Sequence, residues 1–231
     1  MNKMDSTNQS VKKRVVISMS PPTLAFVNTA LELLEKDGFA VTVLDTRRTD
    51  VEEVLKTISI ASVTGVLDIS LSGLADAMLG GAPTLGLLLL EVAGQAGVPI
   101  LLAPGGLDGV TFTSREAIPR QWGKRRFYEA APDRILMRTD TTDNARLGRL
   151  LAEKVNLAQG RVAVALPLRG LSDLGAPGKP FSSADISMAL FGNLTTHLRR
   201  DIRLYDCNVS IDDPGFALLC VEALKELMVK S

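Results

Sequence analysis

The sequence predicts an α/β fold: a doubly wound, mostly parallel sheet of the Rossmann-like kind, with helices on both faces. Three observations lead there. Short apolar runs with almost no polar interruption, such as Val162 through Leu166, have the make-up of strands covered on both faces. These runs alternate with segments of helical length. Each run then opens into a polar loop rich in Gly, Pro, Ser, Asp or Arg, at the place where the carboxyl ends of parallel strands form a crevice. Seven strands are expected, and an eight-fold barrel, which needs one unit more, is the alternative.

The elements follow in order. Residues 14–19 (RVVISM) read as the first strand, and Ser20 before Pro21 and Pro22 is a suitable N-cap for a helix over 23–36 that stops at Asp37-Gly38. A strand over 40–45 leads to Thr49-Asp50-Val51-Glu52, a capping-box pattern that opens a second helix. A third strand covers 65–69. Residues 71–79 are helical, Gly80-Gly81-Ala82-Pro83 breaks them, and 84–96 form a helix apolar on all sides, suited to burial or a subunit contact. A fourth strand at 99–103 turns at Pro104-Gly105-Gly106-Leu107-Asp108. The pattern lapses over 109–132, read as an irregular excursion across the sheet that carries the basic-aromatic run RQWGKRRFY. Strands at 134–137, 161–166 and 202–207 alternate with helices at 141–157, 183–199 and 214–229. Residues 1–13 are polar and expected as a disordered tail, leaving 14–231 as a single α/β domain.

Composition narrows the function. Lys plus Arg and Asp plus Glu both number 26, so no global field draws the chain to nucleic acid or an anionic membrane. Cys207 and Cys220 lack CxxC spacing and fit reduced thiols, hence a cytoplasmic location. The only histidine, His197, falls late in a helix, which leaves no Ser-His-Asp triad within one chain and no zinc spacing. No metal site is expected. Neither GxGxxG nor GxxxxGK[ST] occurs.

What remains is the polar inventory at the strand ends. Ser18, Ser20, Arg47, Ser70, Gly105, Gly106, Arg138, Thr139, Arg169, Gly170 and Ser172 are the expected substrate-binding residues, with Asp68 and Asp108 as proton carriers. Arginines just past strands point toward the crevice, and a guanidinium fork suits a carboxylate or phosphate. Gly105-Gly106 offers backbone amides to an anion. Competing roles are capping for Ser20, Asp140 and Asp213, and ion pairing of the arginines with Asp45, Asp68 or Asp108.

Several strings, GVLDIS, VPILLAPGGLDGVTF, DNARLGRLLAEKVN, LPLRGLSDLGAPGKPF and IDDPGFA among them, resemble the α/β family that includes the N-terminal region of the tomato mosaic virus resistance protein. The resemblance covers mainly that family's second subdomain. It implies ATP or Mg²⁺ as cofactors, for which this chain has no motif, and a partner that supplies the missing subdomain. It departs at Asp45-Thr46-Arg47-Arg48, Gly175, Ser183-Ala184-Asp185 and Ser210, where the family pattern has other residues. Two functions follow. One is a cytoplasmic enzyme, or a subunit of one, of hydrolase or lyase type on a small anionic metabolite such as a keto acid or phosphate ester. The other is a non-catalytic, nucleotide-responsive assembly protein, a homo-oligomer or part of a hetero-oligomer.

Overall fold

The computed structural model describes residues 12–229. Of the expected tail only Lys12 and Lys13 fall within it. In chain order the strands are β1 (Arg14–Met19), β2 (Ala40–Asp45), β3 (Val63–Asp68), β4 (Ile100–Leu102), β5 (Gly109–Phe112), β6 (Phe127–Ala131), β7 (Arg134–Arg138), β8 (Val162–Pro167) and β9 (Arg203–Cys207). The helices are α1 (Leu24–Lys36), α2 (Val51–Ile58), α3 (Ser72–Leu79), α4 (Leu88–Gln95), α5 (Thr141–Val155), α6 (Ala184–His197) and α7 (Pro214–Val229).

Six strands form a parallel sheet in the order β2-β1-β3-β4-β8-β9. Alternation along each strand divides the core in two. Val15 and Ile17 of β1 face Phe26, Val27 and Leu34 of α1 and Phe216, Val221 and Leu224 of α7, where the rings of Phe26 and Phe216 meet edge to face. Val16 faces the other way and joins Val54 of α2, Leu90 of α4, Leu151 of α5 and Leu194 of α6. Helices therefore cover both faces, as the continuous apolar runs require. Gly148 lets α5 and α6 close up, since a Cβ there would lie 2.3 Å from the Leu190 carbonyl.

The sequence-based expectation fails between β4 and α5. Residues 109–138 form a second, antiparallel sheet in the order β5-β7-β6, so the strand expected at 134–137 is not a member of the parallel sheet. Six parallel strands, not seven, alternate with helices. The hairpin is short, with only Pro132 and Asp133 between β6 and β7, and the run FYEAA has too weak an apolar alternation to announce a strand. Two of the four basic residues in RQWGKRRFY are tied to the protein. Arg125 lies over the Trp122 ring and bonds Asp140 and Asp143, Trp122 Nε1 donates to Leu79 O, and Arg126 donates to Pro180 O.

Two smaller differences have local causes. The helix expected over 84–96 begins only at Leu88, because Gly86 adopts φ +60° and Leu85 N donates to Thr46 O. Leu87, Leu89 and Leu90 are then buried within this chain, with no subunit contact required. The N-cap of α2 is Asp50, whose side chain accepts from Glu53 N, one residue later than the Thr49 pattern suggested.

One guanidinium joins the two sheets. Arg138, at the end of β7, is buried and donates from Nε to Phe181 O at 2.8 Å and from Nη1 to Asp108 O at 3.2 Å and Thr139 Oγ1 at 2.9 Å. Arg138→Ala leaves Phe181 O unpaired and removes the cation beside buried Asp108. We expect a loss of about 3 kcal/mol in urea unfolding, with faster amide exchange across β5–β7.

Candidate functional site

In the order β2-β1-β3 the chain leaves β1 for one side of the sheet and returns on the other, which makes the β1/β3 carboxyl ends a topological switch point. Hydroxyl groups hold it together. Ser18 Oγ accepts from Ile69 N at 2.8 Å and Ser70 N at 2.9 Å, pinning the end of β3 to β1. Thr23 Oγ1 donates to Ser20 O at 3.1 Å and is hydrogen-bonded to Ser70 Oγ. Ser18, Ser20, Thr23 and Ser70 are all buried. Asp68 lies beneath them with its Oδ2 unpartnered. Burial pushes its carboxyl up to about 6, against the smaller downward pull of the Ser18 hydroxyl and the Leu90 backbone.

Above this rim the antiparallel sheet forms a roof, and between the two lies a cleft of about 170 Å³. Register explains its roof. Thr111, Leu136 and Tyr128 are cross-strand neighbours in one row, and Arg134, two residues before Leu136, shares its face. The floor is Ser20, Pro21, Pro22, Arg47 and Ser72, and Asp173 and Leu174 of the loop after β8 close one side. The same Pro22, Ser72, Leu136 and Asp173 also line a narrower inner recess that reaches Gly106, Asp108 and Ser172.

Arg47 and Arg134 face this cleft from opposite walls. Neither forms an ion pair among the described residues, and each has a buried, unpartnered Nε. Asp76, whose charge interacts with that of Arg47, accepts from Thr111 N at 2.6 Å and is raised by burial to about 7. The hydroxyl of fully buried Ser20 is also unpartnered at the cleft floor. Arg134 was not among the sequence candidates. Its signal was the alternation Arg134, Leu136, Arg138, which acquires meaning only once 134–138 is an antiparallel strand.

The other expected residues fall elsewhere or serve the fold. Arg138 is spent on backbone carbonyls, and Thr139 donates to Leu107 O and accepts from Asn144 Nδ2. Arg169 lines a different cavity with Ser182, Ser183 and Ser187, so Arg47, Arg138 and Arg169 do not converge. The amides expected to cradle an anion are occupied, Gly105 N by Ala103 O at 2.8 Å and Gly106 N by Leu171 O at 2.7 Å. Gly105 is required for packing, since its Cβ would lie 2.1 Å from Ile69 O. Gly170 is buried in the loop after β8, where its carbonyl accepts from Ile211 N. Ser18 spends its hydroxyl on the amides of Ile69 and Ser70 and Ser70 its own on Thr23, and Asp68 lines neither recess.

Asp108 does reach the inner recess. It is buried, its Oδ2 accepts from Ser172 Oγ at 2.6 Å, and burial raises its carboxyl, with Arg138 pulling the other way. Asp212, half-buried, is raised to about 6 by burial and by the charges of Asp173 and Asp108. Among the described residues no cluster of His, Cys, Asp and Glu is arranged to hold a metal ion. Both cysteines are free thiols, and His197 is exposed with its Nδ1 against Asn193 O. No helix among the described residues is long and apolar enough to cross a membrane.

Fold and cleft together define a doubly wound α/β protein with a polar cleft at the carboxyl rim of its parallel sheet, where such folds take small molecules. The chain belongs to the uncharacterised protein family UPF0261, whose C-terminal domain it matches over residues 12–228. It is 31% identical over 220 residues to a UPF0261 protein of Clostridium tetani, covering 95% of this chain and 54% of that protein. With the ToMV resistance protein Tm-1 of Solanum lycopersicum it shares 30% identity over 225 residues, 95% of this chain and 29% of that one. It thus spans about half the length of the first relative and less than a third of the second. A pyrethroid hydrolase structure covers 95% of this chain and 98% of its own with a TM-score of 0.48 and 14% identity, which is too distant to bear on activity.

The buried Asp68 gives a signed expectation. Its folded value of about 6 lies above the ordinary 3.8, so its contribution to stability is full below the unfolded value and is lost as pH rises through about 6. Asp68→Asn removes that penalty. Relative to the parent, the variant gains about 2 kcal/mol of unfolding free energy between about pH 4 and about pH 8, measured by urea denaturation at the two pH values.

Proposed function

We propose that this chain binds a small anionic metabolite, a keto acid or phosphate ester, in the rim cleft, and acts on it as a hydrolase or lyase or as a subunit of one. One observation carries this: Arg47 and Arg134, two guanidinium groups without carboxylate partners among the described residues, line one cavity together with the unpartnered Ser20 hydroxyl. Half-buried cations without carboxylate partners gain from a counter-charge, and here an anion from solution supplies it. Guanidinium forks from opposite walls fix the orientation of a carboxylate or phosphate. Asp108, raised by burial and bonded to Ser172, is the acid within reach of the cleft and takes the proton-carrying role. ATP and Mg²⁺ enter only through the family resemblance. The free thiols fit a reducing, cytoplasmic setting.

The curated relatives are longer than this chain, so a partner belongs to the proposal: a second copy, or a chain carrying the rest of the family's sequence. Exposed Val51 and Leu55, one turn apart on α2, favour such assembly and the alternative, non-catalytic role. A chain that stays monomeric in light scattering, with nothing co-purified, would remove that alternative.

Titration calorimetry with inorganic phosphate and with pyruvate tests the binding. We expect Arg47→Ala and Arg134→Ala each to weaken binding of whichever anion is taken by at least about tenfold, and Arg169→Ala to leave it unchanged. Binding indifferent to both cleft arginines would overturn the proposal.

A further inference from the structure

We propose that the ligand of this cleft is a zwitterion, a small molecule with a phosphate or carboxylate at one end and a primary ammonium at the other. This rests on the anion-binding function proposed above and adds the second charge. The cleft is bipolar: Arg47 and Arg134 line the outer part, Asp108 the inner recess, and Asp173 the boundary that both share.

The acidic end is built rather than incidental. Asp108 is 1% exposed, and its Oδ2 accepts from Ser172 Oγ at 2.6 Å. The cation nearest to it, Arg138, has its Nε and Nη1 committed to Phe181 O, Asp108 O and Thr139 Oγ1. Asp173 and Asp212 stand close enough for their charges to add to that of Asp108. One guanidinium, Arg138, thus stands against three neighbouring carboxylates, an excess of negative charge that an anion alone would not offset.

Size selects the cation. The inner recess holds about 10 Å³, against about 170 Å³ for the outer cleft. About 10–15 Å³ accommodates one water-sized group, which an ammonium is and a guanidinium or a trimethylammonium is not. An ammonium has three donors, for which the Asp108 and Asp173 carboxylates and the Ser172 hydroxyl oxygen are acceptors. A metal ion fits less well, because no cluster of three ligating side chains is arranged for one among the described residues.

The test is calorimetry on the full chain with O-phosphoethanolamine and with ethyl phosphate, which lacks only the amine. We expect phosphoethanolamine to bind at least about tenfold more tightly, a preference that Asp173→Asn reduces and Asp108→Asn abolishes, while Arg47→Ala weakens both probes. Asp173 is exposed, so its variant keeps the test valid should the buried Asp108→Asn fail to fold. Equal affinity for the two probes overturns the zwitterion and leaves the anion site standing. Binding of neither overturns both. A preference that appears for ethyl phosphate only when Mg²⁺ is added assigns the acidic end to a metal and equally overturns the ammonium.

Discussion

The cleft exists because Arg138 is where it is. A guanidinium at the end of β7 reaches the carbonyl of Asp108, after β4, and the carbonyl of Phe181, after β8, so one buried side chain fastens the antiparallel sheet to two loops of the parallel sheet's rim. Burying such a cation is costly unless its donors are satisfied, and here carbonyls and the Thr139 hydroxyl satisfy them. The roof is thereby held at a fixed height over Ser20, Ser72 and Arg47. Together with Arg126 on Pro180 O and Asp76 on Thr111 N, that fastening sets Arg134 and Tyr128 relative to the switch point.

Charge is distributed by a simple rule. Hydroxyl groups that serve the fold are paired: Ser18 with two amides, Thr139 with Leu107 O. Groups that line the cleft keep unused capacity, as in Arg47, Arg134 and Ser20. Asp68 also keeps an unpartnered oxygen, but it lies beneath the switch point and outside both recesses. Burial raises it as it raises Asp76 and Asp108, because all three carboxyls have been taken from water without a full set of donors. A shifted acid therefore identifies a candidate only when a cavity touches it, as one does at Asp108.

Reading forward from residues served well where pattern and environment agree. The runs RVVISM and AVTVLD, and the helix opening at Pro214, fall where the structure has them, since short β-branched apolar runs and a proline at the first helical position are local signals. Asp140 caps α5 as its position suggests. The same reasoning assigned Gly105-Gly106 to an anion, but a glycine permits close approach without saying of what. Here the neighbours are Ile69 O and Ser72.

The amino-acid sequence alone determined the alternation of elements, the doubly wound class and the polar character of the rim, because these follow from periodicity, capping and burial within short windows. Only the tertiary structure decided that 134–138 turns away into a second sheet, that Arg138 is consumed in holding it, and that Arg47 meets Arg134 rather than Arg169. Which side chains share a cavity depends on where distant segments pack, and two arginines 87 positions apart carry no mark of each other until β7 is laid over the switch point.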